Sequence, residues 1–104
     1  MAKSVEDLVV WITGGGSGIG KAMAFEFANR KSKVVVSGRR LEKLQEVVDE
    51  ITTNGGQALA VTCDVTQEES IRGAVAKIVE TLGQLDVVIA NAGFGVGGKF
   101  ETIS

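Results

Sequence analysis

The chain has 104 residues, room for one small domain whose single core leaves a thin margin of stability. Hydrophobic residues at 44% and charged residues at 23% are ordinary for a soluble globular protein, and a net charge of −2 excludes general attraction to nucleic acid or an anionic membrane. One cysteine, Cys63, and no histidine exclude an intramolecular disulfide, a metal site built from cysteine pairs, and imidazole acid–base chemistry.

The opening "MAKSVEDLVVWITGG" does not read as a secretory signal, because its apolar run is short and follows Glu6 and Asp7. No apolar stretch approaches the roughly 18 residues of a membrane span, so a cytoplasmic protein with no membrane partner is expected.

In chain order, "LVVWI" is a compact β-branched run that reads as a strand buried on both faces. The glycine-rich "TGGGSGIG", Thr13 to Gly20, follows it and leads into a helix with Ile19, Met23 and Phe27 on one stripe. "KVVVS" is the second strand. A second helix carries the stripe Leu41, Leu44, Val48 and Ile51 and stops at Asn54-Gly55-Gly56. "ALAVT" is the third strand. "TQEE", Thr66 to Glu69, has capping-box form and predicts a helix start, with Ile71, Val75, Ile78 and Leu82 as its stripe and Gly83 as its stop. "LDVVIA" is the fourth strand, and "FETIS" reads as the start of another helix.

The pattern is α/β: a doubly wound parallel sheet, β-α-β-α-β-α-β, with right-handed crossovers and strand order 3-2-1-4. One domain spans residues 1–104. In that order "DVVIA" becomes an exposed, flat, apolar edge, as in half of a doubly wound sheet. The chain therefore reads as the N-terminal portion of a longer polypeptide. A product short by nature would need that edge capped by a partner or by self-association through the fourth strand.

The turn at Thr13 to Gly20 joins a strand to a helix, where unpaired N–H groups and a partial positive charge favour a pyrophosphate. Glycines spaced as Gly14, Gly18 and Gly20 let the backbone approach a ligand and the helix approach the sheet. A G-x-G-x-x-G string occurs only later, at Gly93, Gly95 and Gly98, with six residues after it. That leaves no room for the helix and strand such a fingerprint requires, so it reads as a loop beside the site.

"TGGGSGIG" followed by "CDVT" and by "ANAG", Ala90 to Gly93, resembles the short-chain dehydrogenase/reductase family, with Ala90 where an asparagine is usual. The resemblance spans nearly the whole chain and implies a Rossmann-type NAD(P)-binding domain. It implies that Gly14, Ser17, Gly18, Ile19 and Gly20 hold the pyrophosphate and that Asp64 and Val65 lie beside the adenine ring. It also places Asn91, Ala92 and Gly93 near the ribose and nicotinamide. Asn91 reads equally as a strand-end cap, and Asp64 as a turn residue before the third helix.

The ribose 2′ position is read about 20 residues beyond such a glycine turn. An NAD-preferring protein places a carboxylate there, whereas this chain reads "VVVSGRR", with Gly38 in the acid's place and Arg39 and Arg40 next. A planar guanidinium attracts a 2′-phosphate and donates to it twice, so NADP(H) is favoured over NAD(H). Arg39 is the first candidate and Ser37 a helper; Arg40 reads equally as solvated.

The resemblance implies carbonyl/alcohol interconversion by hydride transfer, supported in the family by Ser and Tyr-x-x-x-Lys. The 104 residues include no tyrosine, so the catalytic motif is absent and this chain alone is expected to be inactive. Two readings follow: the cofactor-binding half of an NADP(H)-dependent oxidoreductase with a small carbonyl or alcohol substrate, or a non-catalytic nucleotide-binding or assembly module.

Overall fold

The computed structural model describes residues 8–14 and 18–90, together with the backbone of 101–103. Its elements are β1 (Val9–Thr13), α1 (Gly18–Asn29), β2 (Lys33–Gly38), α2 (Leu41–Thr53), β3 (Gln57–Thr62), α3 (Glu68–Leu82), β4 (Val87–Ala90) and β5 (Glu101–Ile103). They form one sheet in the order β3-β2-β1-β4-β5. The β1–β2, β1–β4 and β2–β3 ladders are parallel, with Trp11 opposite Val35 on one side and Val88 on the other.

Strand periodicity divides the core in two. Val10, Ile12, Val34 and Val36 project to one face and pack with Ala24 of α1 and Leu44, Val47, Val48 and Ile51 of α2. Val9, Trp11, Val35, Val61 and Val88 project to the other, with Ala74 and Ile78 of α3. All five residues of β1 are buried, as expected of a central strand covered on both faces. The chain winds outward through α1 and α2, then crosses back over the opposite face through α3. The strand order reverses between β1 and β4, which opens a crevice at the carboxyl ends of the strands.

The helix faces differ in detail from the hydrophobic count. In α1 the buried residues are Gly20 and Ala24, Met23 and Phe27 are half-buried, and Ile19 is 71% exposed. Small residues set how near a helix can lie to a sheet, so the large ones flank the contact. In α2 the buried stripe is Leu44, Val47, Val48 and Ile51, while Leu41 is 50% exposed. Each of those four buried side chains contributes about 1.5–3 kcal/mol of transfer free energy. In α3, Ala74 and Ile78 are fully buried, with Ile71, Val75 and Leu82 packed around them. The stops lie where the glycines and Asn54 placed them: Asn54 caps α2, and Gly83 caps α3 in the left-handed conformation at φ 85°.

Two expectations are corrected. The "TQEE" capping box does not form: α3 begins at Glu68, its N-cap is Gln67, and no side chain caps it. The Thr66 hydroxyl is drawn to Asp64 instead, donating to Oδ1 at 2.6 Å. In "FETIS", Glu101–Ile103 is a strand and not a helix start. It pairs antiparallel with β4, setting Val87 opposite Ile103 and Ile89 opposite Glu101. The backbone groups expected to be free along β4 are therefore bonded within the chain, which removes the basis for self-association through an exposed fourth strand.

At the opposite, amino end of the strands, Asp86 is 6% exposed. Its Oδ2 accepts from the Val9 N–H at 2.8 Å and from the Gln84 amide at 2.8 Å, while its own N–H donates to the Val9 carbonyl at 3.0 Å. This carboxylate ties the start of β1 to the approach of β4.

Candidate functional site

The carboxyl ends of β1, β2 and β3 surround a cavity of about 230 Å³ lined by Gly14, Ser37, Gly38, Arg39, Cys63, Asp64, Val65 and Thr66. Each strand contributes the residues at or just beyond its last hydrogen-bonded position. Gly14 follows β1 at φ 73° and donates its N–H to the Ser37 carbonyl at 2.7 Å, which fixes the glycine turn to β2. The Cys63 N–H donates to the Gly38 carbonyl at 2.9 Å and carries the same connection on to the β3 side.

Gly18 opens α1 at φ 63°, a conformation strained for any L side chain, and a Cβ there would meet nothing within 4 Å. The requirement for glycine is thus in the backbone, and open space lies beside the helix mouth. The first N–H groups of α1 have no intrahelical acceptor, so the mouth suits an anion. Gly20, in the same first turn, is buried where α1 meets the sheet, and Ile19 lies exposed beside it.

At the end of β2 the sequence places no carboxylate. Gly38 ends the strand, and Arg39 and Arg40 are both exposed. Arg40 is the N-cap of α2, extended at φ −111° and ψ 100°, with no side-chain cap hydrogen bond. Arg39 makes no hydrogen bond or ion pair among the described residues. Two guanidinium groups therefore stand at a helix N-terminus, where the macrodipole disfavours cations.

Ser37 is fully buried, and its Oγ accepts from the Trp11 indole N–H at 2.8 Å. The hydroxyl expected to help with a 2′-phosphate is bonded to the core, while Ser37 also lines the cavity. Strand parity carries that signal, since Ser37 lies two residues from Val35, on the same face as Trp11.

Beyond β3, Asp64 and Val65 line the cavity, joined by Thr66 and Cys63, which the motif reading passed over. Asp64 Oδ1 accepts from the Thr66 N–H at 3.0 Å and from its hydroxyl at 2.6 Å, and the Asp64 N–H donates to Ser70 Oγ at 2.8 Å. The signal for Thr66 was the D-x-T spacing, which favours this local turn. The Thr66 hydroxyl and then its N–H hold the Asp64 carboxyl below the usual carboxylate range, against an opposing effect of burial, and the field of Arg39 adds least. Cys63 is buried, its thiol donating to the Ser70 carbonyl at 3.7 Å. Ser17, Asn91, Ala92 and Gly93 lie outside the described residues.

The arrangement is a strand-to-helix glycine turn, a cationic corner at the end of β2 and a fixed carboxylate after β3, all at the carboxyl end of the sheet. The family model for short chain dehydrogenase matches residues 8–104. The chain belongs to the short-chain dehydrogenase family. It is 43% identical over 90 residues to the 7alpha-hydroxysteroid dehydrogenase of Escherichia coli, covering 86% of this chain and 35% of that protein. It is 39% identical over 103 residues to a hydroxynaphthalene reductase-like protein of Metarhizium majus, covering 98% of this chain and 39% of that one. A crystal structure of an Escherichia coli hydroxysteroid dehydrogenase superposes with a TM-score of 0.82 at 40% identity, over 86% of this chain and 38% of that chain. A metagenomic short-chain oxidoreductase in complex with NADP superposes with a TM-score of 0.80 at 34% identity, over 88% of this chain and 41% of that chain. The chain thus spans between a third and about two-fifths of the length of these short-chain dehydrogenases. Among the described residues no helix is long and apolar enough to cross a membrane.

Proposed function

We propose that these residues form the cofactor-binding part of an NADP(H)-dependent short-chain oxidoreductase that interconverts a small carbonyl compound and its alcohol. The observation that carries the reading is the corner at the end of β2: Gly38 where an acid would accept from ribose hydroxyls, then Arg39 lining the cavity without a partner among the described residues. Guanidinium groups at a helix N-terminus oppose the helix dipole, so their placement is best explained by an anion that gains from both.

In this reading the mouth of α1, with Gly14, Ser17, Gly18, Ile19 and Gly20, holds the diphosphate. Arg39 takes the 2′-phosphate with Arg40 adding to the local field, and Ser37 supports the floor through Trp11. Asp64 and Val65 flank the adenine, and Asn91, Ala92 and Gly93 attend the ribose and nicotinamide. The bound dinucleotide supplies or accepts the hydride. The neighbouring oxidoreductase in complex with NADP supports this choice of cofactor.

The 104 residues contain no tyrosine, so the proton donor typical of the family is supplied from outside them and the chain alone is inactive. That same absence favours a second reading, a nucleotide-binding module without chemistry. An intact mass of the natural protein distinguishes the two: a longer chain with Tyr-x-x-x-Lys supports the enzyme, and a natural stop after Ser104 supports the module.

The test of the cofactor assignment is Arg39→Asp. It removes two donors from the phosphate and adds a repelling charge, so NADPH affinity should fall by about 100-fold while NADH affinity changes far less. Equal losses for both in a fluorescence titration would refute the assignment.

A further inference from the structure

We propose that Thr66 is a positioning residue for nucleotide selectivity: by holding the Asp64 carboxylate, it keeps the Arg39 guanidinium free for a 2′-phosphate. The inference rests on the NADP(H) reading of the cavity and adds to it a lining residue that acts through Asp64.

Asp64 and Arg39 line the same cavity. An arginine and a carboxylate in one small cavity tend toward a bidentate pair, and such a pair would occupy the fork that a phosphate needs. No ion pair joins them; among the described residues Arg30 pairs with Glu26 and Arg72 with Glu68, each four residues apart in sequence. The geometry around Asp64 accounts for this. Oδ1 takes two donors from Thr66, at 3.0 and 2.6 Å, while Ser70 Oγ accepts from the Asp64 N–H. Side chain and backbone are both fixed from the α3 side of the cavity. Thr66 is exposed, so its hydroxyl is not required to satisfy a buried group, and its effect falls on the direction of the carboxylate.

Without the hydroxyl, Oδ1 keeps only the Thr66 N–H, and the cation sharing its cavity is Arg39. The carboxylate then competes with the 2′-phosphate for the guanidinium. NADH, which lacks that phosphate, has nothing to lose in the competition. The ratio of NADPH to NADH affinity therefore isolates the effect, because a general disturbance of the adenine side lowers both affinities together.

The experiment is an equilibrium titration of the intact protein with NADPH and with NADH. A wild-type protein with no preference for NADPH would refute the underlying cofactor reading before any variant is made. Given that preference, Thr66→Val should lower the ratio about five-fold, the size expected of one exposed charge pair. Thr66→Ser should restore it, and so should Asp64→Asn in the valine background, which removes the competing charge. Should Thr66→Val fail to fold, Thr66→Ala makes the same deletion with a smaller side chain. A ratio unchanged by losing the hydroxyl overturns the proposal. So does a ratio that falls and stays low after Asp64 is neutralised.

Discussion

The two ends of this sheet handle charge in opposite ways. At the amino end Asp86 is 6% exposed and its carboxylate is bonded to the Val9 N–H and the Gln84 amide. At the carboxyl end Arg39 and Arg40 are exposed, Arg39 makes no hydrogen bond or ion pair among the described residues, and both oppose the dipole of α2. A charge buried with its partners serves the fold, since removing it leaves polar groups unsatisfied. A charge held in an unfavourable place without a protein partner serves something the protein binds. The contrast separates structural from functional charge within one small domain, and substitutions at each end should give opposite signs.

The largest effect belongs to the amino end. Asp86→Ala deletes the acceptor for the Val9 N–H and the Gln84 amide at a buried junction of β1 and β4. Losing hydrogen bonds to a charged group and leaving a buried donor unpaired costs about 3 kcal/mol. Urea denaturation should show the midpoint falling without a change in slope. A loss under 1 kcal/mol would mean that this carboxylate is not the tie that the geometry describes.

Ser37→Ala tests the layer between the two ends. It lies directly beneath the cavity, yet its hydroxyl faces the core and accepts from Trp11. The variant should destabilise by about 1–2 kcal/mol, because the buried indole N–H loses its acceptor. The single tryptophan reports this directly, as its native emission should shift when the hydrogen bond is lost. If Ser37→Ala instead keeps full stability and selectively weakens NADPH, Ser37 belongs with the functional charges above it.

The strands were legible because β-branched runs such as "LVVWI" can only be satisfied by cover on both faces, and the strand order followed from the alternation with helices. Helix stops were legible at Asn54 and Gly83, where local backbone preference decides. Helix faces were less so: Gly20 and Ala24 govern how close α1 lies to the sheet, but a count of large apolar residues selects Ile19, which is exposed. The capping box failed through competition, since Thr66 has one hydroxyl proton and Asp64 receives it. The pairing of Glu101–Ile103 with β4 was not legible, because so short a segment carries no periodicity to read, although the open edge it covers was expected. At the site, Gly38 and Arg39 could be read as a pair, missing acid and added cation. The tie between Asp64 and Thr66 needed geometry.

The smallest expected effect bears most directly on the contrast. Arg40 occupies the N-cap of α2 with the extended backbone that serine or aspartate adopts there, but its side chain cannot accept a hydrogen bond from the first turn. Arg40→Ser should therefore stabilise the fold by about 0.5–1 kcal/mol, by supplying a cap and removing a cation from the positive end of the dipole. The same change should weaken NADPH binding a few-fold while NADH binding holds, in keeping with a surface charge that acts through its field. A gain in stability together with a loss of selectivity would show that α2 carries an arginine at its cap for the ligand's sake. A gain with selectivity intact would assign Arg40 to solvent and leave Arg39 alone as the functional cation.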